Sequence, residues 1–331
     1  MNSSEALVVK DLTVEYALKS RTGRIQSRAR AVDNVSFSIA TGETLALVGE
    51  SGSGKSSIAN AIMRLVEPSV GSITVAGREV TSLSGRDLRE SRRDYQMIFQ
   101  DPFESIDPRR TVLDTVMESL IVSGIGETDA HRRERALAAL ESVGLTPAPK
   151  VGERFAHQLS GGQRQRVAIA AAMVLQPKLL VADEPVSMLD VSLRAGILRL
   201  MQKLGSDLDV ACLFITHDLS LAWMYADRIA VLYLGRIVEE GAPADIIGNP
   251  KHPYTQALVS VIPIPERVNK TERTILTGEI PDSSHIPQGC RFHTRCPLYR
   301  ALGEPASCRD SDPSLSGRAI HRVACHHSTE E

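Results

Sequence analysis

The chain has 331 residues, and its 38 Lys and Arg against 40 Asp and Glu give a net charge of −2. At about 150 residues per domain, this length predicts two domains. Hydrophobic residues make up 42% and charged residues 24%, which is typical of a folded globular protein and excludes a largely disordered chain. The lack of a basic excess, together with only 4% aromatic residues, argues against nucleic-acid binding.

Membrane insertion and secretion are not expected from the sequence. No stretch approaches the ~20 continuous apolar residues of a membrane-spanning helix. Residues 1–11 lack the basic start and apolar core of a signal peptide. We therefore expect a cytosolic protein whose link to a membrane runs through a partner. Of the 5 cysteines, Cys212 lies in an apolar run and the others cluster near the C-terminus, where reducing conditions favour metal binding over disulfides.

The predicted elements alternate between strands and helices along most of the chain. Strands are predicted at 7–16, 35–40, 44–48, 72–75, 95–99, 179–182 and 211–216, with a basic loop at 20–30. Helical patterns are predicted from Lys55 to about Val66, at 111–145, 164–175 and 193–204, and after His217. A hairpin is predicted at 229–238. This alternation predicts a mostly parallel α/β core, and the prolines after about Gly248 indicate a domain boundary there.

A Gly- and Ser-rich segment joins the predicted strand 44–48 to the helix at Lys55. It reads Gly-Glu-Ser-Gly-Ser-Gly-Lys-Ser-Ser over residues 49–57. Such a segment surrounds phosphate oxygens with backbone N–H groups, and the helix adds its positive dipole end. Lys55 is expected to reach the β- and γ-phosphates and Ser56 to coordinate Mg²⁺. The predicted phosphate-binding residues are Gly49, Ser51, Gly52, Ser53, Gly54, Lys55, Ser56 and Ser57. The alternative is an ordinary turn with a capping serine.

Two carboxylates follow the apolar strand at 179–182. Ligands of open α/β sheets bind at the carboxyl ends of strands, so both acids are expected near the phosphates. Asp183 suits a Mg²⁺ ligand, and Glu184 suits the general base that polarises the attacking water. Taken alone, such acids are more often helix N-caps or solvated turn residues.

Further motifs follow one another along the chain. Gln100 follows an apolar strand, and Leu-Ser-Gly-Gly-Gln stands at 159–163. The acidic strand end, then Asp190 and Thr-His-Asp at 216–218, complete the series. This order resembles that of the ATP-binding cassette (ABC) ATPases over roughly residues 7–245. The resemblance implies a P-loop NTPase core over 1–248, with a helical subdomain at about 100–175. It also implies ATP and Mg²⁺ as ligands.

The resemblance assigns further roles to single residues. Tyr16 resembles the aromatic residue that stacks on adenine, and Gln100 the residue that contacts Mg²⁺, the attacking water and a membrane partner. His217 resembles the residue that holds the γ-phosphate, and Asp190 the residue that couples the two sites of a dimer. Ser160, Gly161, Gly162 and Gln163 resemble the signature that caps the γ-phosphate of the opposite subunit. Tyr16, Gln100 and His217 could also be a strand tyrosine, a strand-end amide and a helix cap. Met188 departs from the alanine that the family carries more often.

The segment after residue 248 begins with Asn-Pro-Lys-His-Pro-Tyr-Thr at 249–255 and carries four cysteines. Together with residues 96–109, it resembles the extension of the oligopeptide, dipeptide and nickel importers. It implies that Cys290, Cys296, Cys308 and Cys325 bind an iron–sulfur cluster of the four-iron type. Four thiolates also suit structural zinc, and the third alternative is that the four cysteines are free thiols. The predicted second domain is thus a small irregular extension at 249–331 that binds a metal or cluster.

The sequence therefore predicts the ATP-hydrolysing subunit of an ABC importer for peptides, peripheral on the cytoplasmic face of the inner membrane. Its expected partners are two transmembrane permease subunits, a second ABC ATPase that is identical or related and, indirectly, an extracytoplasmic solute-binding protein, with no nucleic acid. Oligosaccharides, opines and nickel are the alternative solutes. A soluble ABC ATPase acting on DNA or ribosomes and a non-hydrolysing regulatory module are the alternative functions. The single cassette argues against the former, and the presence of Glu184 and His217 argues against the latter.

Overall fold

The computed structural model describes residues 5–19, 25–101, 106–262, 276, 278, 281–282, 284–318 and 321–328. It divides the chain into two compact units. The first unit is assigned Met1–Val8, Ser38–Glu43 and Ile73–Ile215. The second is assigned Val9–Phe37, Thr44–Ser72 and Thr216–Glu331.

The strands in chain order are β1 (Glu5–Lys19), β2 (Ile25–Ala40), β3 (Thr44–Val48), β4 (Val70–Val75), β5 (Arg78–Glu79), β6 (Tyr95–Ile98), β7 (Leu179–Asp183), β8 (Ala211–Thr216), β9 (Arg228–Tyr233), β10 (Arg236–Gly241), β11 (Ser316–Arg318) and β12 (His321–Val323). The helices are α1 (Lys55–Ile62), α2 (Gly85–Ser91), α3 (Val112–Val122), α4 (Asp129–Ser142), α5 (Ala148–Gly152), α6 (Gly161–Met173), α7 (Val191–Asp207), α8 (Leu219–Tyr225), α9 (Pro243–Gly248), α10 (Pro253–Ser260), α11 (Pro297–Ala301) and α12 (Ala306–Asp310).

The first unit contains a buried parallel sheet and a group of helices. Strands β6, β7 and β8 pair in parallel in that order, with Met97 opposite Val181 and Val181 opposite Leu213. Every residue of β7 and β8 is buried, which explains their continuous apolar sequences. Helices α3, α4 and α6 pack on one another through residues such as Val116 and Leu140, both fully buried.

The second unit contains the strand order β11-β12-β10-β9-β3. Strand β3 pairs with β9 in parallel, so that Leu47 lies opposite Ala230, whereas the remaining pairs are antiparallel. Because β3 ends at Val48, its carboxyl end delivers the Gly-rich segment that precedes α1. The sheet thus places this segment at the edge where parallel strands commonly bind ligands.

The predicted strands and the hairpin at 229–238 are confirmed, but several boundaries differ. Strand β2 begins at Ile25, inside the predicted loop, while residues 20–24 lie outside the described residues. The helical pattern at 111–145 is two helices, because Gly124 and Gly126 both adopt positive φ between them. Helix α6 begins at Gly161, earlier than predicted, because a serine caps it.

Candidate active site

The segment 49–57 forms a tight loop between β3 and α1 in the second unit. A Cβ atom on Gly49 would lie 2.2 Å from the Leu232 carbonyl oxygen. Gly54 has φ of +107°, and a Cβ atom there would lie 2.3 Å from the Ala31 carbonyl oxygen. Both positions therefore require glycine, because the loop packs directly against neighbouring backbone.

Lys55 is folded back over this loop. Its side chain is buried, and Nζ donates to the carbonyl oxygens of Gly49 at 2.8 Å and Glu50 at 2.9 Å. The Ser53 hydroxyl lies 3.5 Å from the same nitrogen. The loop itself thus holds a positive charge at the N-terminus of α1, where the helix dipole also favours an anion.

Tyr16 and His217 also belong to the second unit. Tyr16 is half-buried on β1, and its hydroxyl donates to the Ser57 hydroxyl at 3.2 Å, which places the ring beside the start of α1. His217 is exposed directly after β8. It does not cap the following helix, because the Asp218 carboxylate accepts the Ser220 N–H at 2.9 Å and performs that role.

Asp183 and Glu184 end β7 in the first unit. Asp183 is 7% exposed, and Glu184 adopts φ of +46°, a left-handed conformation that costs a non-glycine residue about 1–2 kcal/mol. The Glu184 N–H donates to the Ile215 carbonyl at 2.9 Å, which holds the turn to the neighbouring strand. The Gln100 Nε2 donates to the Glu184 carboxylate at 3.2 Å, so Gln100 is in contact with the predicted base.

The signature segment begins α6 in the first unit. The Ser160 hydroxyl accepts the Gln163 N–H at 3.3 Å, and the Gln163 side chain accepts the Ser160 N–H at 3.1 Å. This reciprocal cap fixes the helix N-terminus with Ser160 exposed. Gly161 and Gly162 face two leucines, since added Cβ atoms would lie 3.6 Å from Leu189 and 3.3 Å from Leu193.

The loop before α7 continues the same surface of the first unit. Asp190 is exposed and precedes the helix, where its carbonyl oxygen accepts the Leu193 N–H at 2.9 Å. Its neighbours Met188 and Val191 are 61% and 78% exposed. Large apolar side chains at such exposure mark a surface that suits contact with another protein.

The histidine–proline–tyrosine segment at 252–254 is buried in the second unit. Glu239, fully buried, accepts the backbone N–H groups of Lys251 at 2.7 Å and His252 at 3.0 Å. The His252 Nδ1 accepts the Tyr254 N–H at 3.1 Å, which requires the imidazole to be neutral. Burial lowers the pKa of His252 to about 3.

We expect this histidine to destabilise the fold as the pH falls. Its folded pKa of about 3 lies below its ordinary value of 6.5, so the unfolded chain takes up the proton first. The free energy of unfolding is unaffected by this group above pH 6.5 and falls by about 2 kcal/mol between pH 6.5 and 5. Urea denaturation across this pH range measures the free energy of unfolding. The wild type should lose about 2 kcal/mol more than His252→Gln does. The control His131→Gln, at an exposed position, should lose as much as the wild type. Equal losses in the wild type and His252→Gln would contradict this.

The four C-terminal cysteines lie close enough to influence one another, and none is in a disulfide. Burial raises the pKa of Cys290 to about 12, and the charges of Cys308, Cys325 and Cys296 contribute to the increase. The Cys290 N–H donates to the Cys308 carbonyl at 2.9 Å. Within the described residues, however, no group of three or more His, Cys, Asp or Glu side chains is placed to hold a metal ion. The described residues therefore do not form the predicted cluster site. The Cys296 Sγ accepts the Tyr299 N–H at 3.4 Å.

Comparison with known proteins places this geometry in a family. The family model described as ABC transporter matches residues 32–187, and the model described as oligopeptide/dipeptide transporter, C-terminal region, matches residues 238–301. The oligopeptide transport ATP-binding protein AppF of Bacillus subtilis is 41% identical, with 98% of each chain covered. A protein of Brucella ovis, assigned as a peptide import ATP-binding protein, is 48% identical over 90% of this chain and 91% of its own.

A solved structure shares the fold of the cassette. The dimeric post-hydrolysis state of the ATP-binding cassette MJ0796, bound to ADP and phosphate, has a TM-score of 0.64 and 30% identity, covering 72% of this chain and 98% of that one. The fold and the loop together define an ATP-hydrolysing P-loop protein of the α/β class. The chain belongs to the ABC transporter family, in the branch that carries the oligopeptide/dipeptide C-terminal region.

Membrane-spanning helices are not found in the part of the chain that the structure describes, where each helix is too short or too polar to cross a bilayer.

Several polar residues, most of them buried, were not assigned a role from the sequence. They are Asp218, which caps α8, and the ion-pairing residues Asp33, Glu50, Glu239, Arg291 and Arg295. The sequence gives only a weak indication of these ion pairs. Arg291 and Arg295 adjoin Cys290 and Cys296 in the sequence, and both arginines are buried.

Proposed function

We propose that this chain is the ATP-hydrolysing subunit of an ABC importer that takes up peptides. The observation that carries the proposal is the match to both family models along one chain, together with relatives named for peptide transport or peptide import over 91 to 98% of their length. Oligosaccharides, opines and nickel remain alternative solutes, since this subunit is not expected to contact the solute itself.

The proposed nucleotide contacts follow the observed loop. Lys55 binds the β- and γ-phosphates, and the N–H groups of residues 49–57 surround the phosphate oxygens. Tyr16, beside the start of α1, stacks on the adenine, and His217 holds the γ-phosphate. The buried position of Lys55 and the glycine-dependent path of the loop support this assignment.

The proposed ligands of Mg²⁺ are the Ser56 hydroxyl, the Gln100 amide and the Asp183 carboxylate, each of which offers an oxygen atom of the kind that Mg²⁺ prefers. When bound, Mg²⁺ would neutralise part of the negative charge of the phosphates. Glu184 accepts a proton from the attacking water, and Gln100 orients the Glu184 carboxylate. The 3.2 Å contact between Gln100 and Glu184 supports this pairing.

Two cassettes are proposed to close on two ATP molecules. The capped N-terminus of α6, with Ser160 exposed, presents N–H groups and a helix dipole to a γ-phosphate held by the partner. Asp190 and the exposed Met188 and Val191 lie on the same surface of the first unit and are proposed to pack in this dimer. The partner is a second copy or a related ATPase.

The chain is proposed to consist of a cassette and a C-terminal extension. The cassette is assigned to residues 1–248, with a helical subdomain at about 100–175, and the extension to 249–331. Two permease subunits are proposed to dock on the helical subdomain and Gln100, which places the chain peripherally on the cytoplasmic face of the inner membrane. A solute-binding protein acts on the other side of that membrane.

Uptake of a labelled peptide by cells tests the proposed function. A strain lacking this gene should lose uptake, and wild-type protein should restore it while Glu184→Gln should not. Normal peptide uptake in the deleted strain, with loss of nickel or sugar uptake instead, would assign one of the alternative solutes.

We further propose that Cys290, Cys296, Cys308 and Cys325 bind a four-iron cluster, with structural zinc as the alternative. The burial of Cys296 and Cys308 and the hydrogen bond from the Cys290 N–H to the Cys308 carbonyl support this, since thiolates are the ligands of both groups. Protein purified without oxygen should contain iron and acid-labile sulfide in about equal amounts and absorb broadly in the visible range. Cys290→Ser should lose both signals, and Cys212→Ser, in buried β8, should keep them. Zinc or no metal in the wild type would contradict the cluster.

A further inference from the structure

The phosphate loop is held by the C-terminal part of the second unit. Arg295 donates through both terminal nitrogens to the Glu50 carboxylate, at 2.8 and 3.3 Å. The Tyr254 hydroxyl accepts the Glu50 N–H at 3.0 Å. Glu50 directly follows Gly49 in the loop, so both the backbone and the side chain of one loop residue are anchored by this distant part of the chain.

The anchor is buried and well packed. The Arg295 side chain is 7% exposed, and its guanidinium lies 5.9 Å from the centre of the Tyr233 ring. Tyr233, Tyr254 and Phe292 pack with ring centres 4.7 to 5.5 Å apart, and all three are fully buried. A forked guanidinium held in such a cluster fixes its carboxylate partner in one geometry.

The charge on Glu50 matters because the loop binds an anion. The Glu50 carbonyl oxygen accepts from Lys55 Nζ at 2.9 Å, so the same residue also positions the cation that meets the phosphates. A carboxylate without a partner in this loop would repel a triphosphate. Arg295 supplies the opposite charge from a buried position to the Glu50 side chain, which is 28% exposed.

We propose that Arg295 is a positioning residue for ATP binding, which acts by neutralising Glu50 and by fixing the loop conformation that holds Lys55. The inference rests on the proposed role of residues 49–57 as the ATP site. It makes the C-terminal extension part of the nucleotide-binding machinery.

The test measures the dissociation constant of a fluorescent ATP analogue, with the Tm of each variant as the check on folding. Arg295→Met should raise the Kd about tenfold, because an unpaired carboxylate remains. The double variant Glu50→Gln with Arg295→Met should bind within about threefold of the wild type.

The control is Arg309→Met, which removes an exposed arginine of the same extension and should leave the Kd unchanged. The defect of Arg295→Met should shrink at high salt, and KM for ATP should change more than kcat.

Two results would overturn the proposal: a wild-type Kd for Arg295→Met, or a double variant that binds as weakly as Arg295→Met alone. If Arg295→Met does not fold, Arg295→Lys replaces it, since it keeps the charge and loses the fork. Its Kd should rise about threefold, and an unchanged Kd would contradict the proposal. A wild-type chain that binds no nucleotide would refute the ATP site itself, which separates that failure from a failure of Arg295.

Discussion

The Glu184→Gln variant should hydrolyse ATP at least about 100-fold more slowly than the wild type, with ATP affinity within about threefold. The amide is nearly isosteric with the carboxylate and is expected to keep the left-handed turn that the backbone bond to Ile215 stabilises. It cannot accept a proton from water. Steady-state phosphate release and equilibrium binding of the nucleotide measure the two quantities separately.

The matched control for this variant is Glu153→Gln, which neutralises an exposed carboxylate of the same unit and should turn over at the wild-type rate. Turnover by Glu184→Gln within a few-fold of the wild type would remove Glu184 from the role of base.

The Lys55→Ala variant should bind ATP at least about 100-fold more weakly. The substitution removes the charge that the loop carbonyls of Gly49 and Glu50 hold at the N-terminus of α1. Equilibrium titration with a fluorescent ATP analogue gives the loss.

Lys203→Ala is the control, because it removes an exposed lysine from α7 and should leave affinity unchanged. If Lys55→Ala keeps its fold by circular dichroism and binds ATP within threefold of the wild type, the phosphate contact assigned to Lys55 is wrong.

The parts of the site that could be predicted from the sequence are those with short-range causes. The φ of +107° at Gly54 favours glycine whatever surrounds it, and the apolar sequence of β7 with acids at its end is contained in residues 179–184. The cap of α6 is likewise contained in residues 160–163. Such features leave a signature within a few neighbouring positions.

The parts that could not be predicted have long-range causes. Nothing in the order of residues indicates that Arg295 pairs with Glu50, or that Arg291 pairs with Asp33, because the fold alone brings these charges together. The same limit applies to β2, where pairing with neighbouring strands extends the element into a segment whose composition favours a loop. The cysteine segment is a further example, because the positions of four cysteines in the sequence do not determine whether their side chains meet at one metal site.

Mixing two inactive variants tests the central claim that each ATP is enclosed by the loop of one chain and the signature of another. Lys55→Ala removes the loop contact, and Ser160→Arg blocks the signature. Each variant alone should lack ATPase activity, while an equal mixture should recover up to about a quarter of the wild-type rate, because half of the random dimers hold one intact site. The account is contradicted if Ser160→Arg alone hydrolyses ATP at the wild-type rate, or if the wild-type chain remains a monomer with a turnover per chain that does not depend on its concentration.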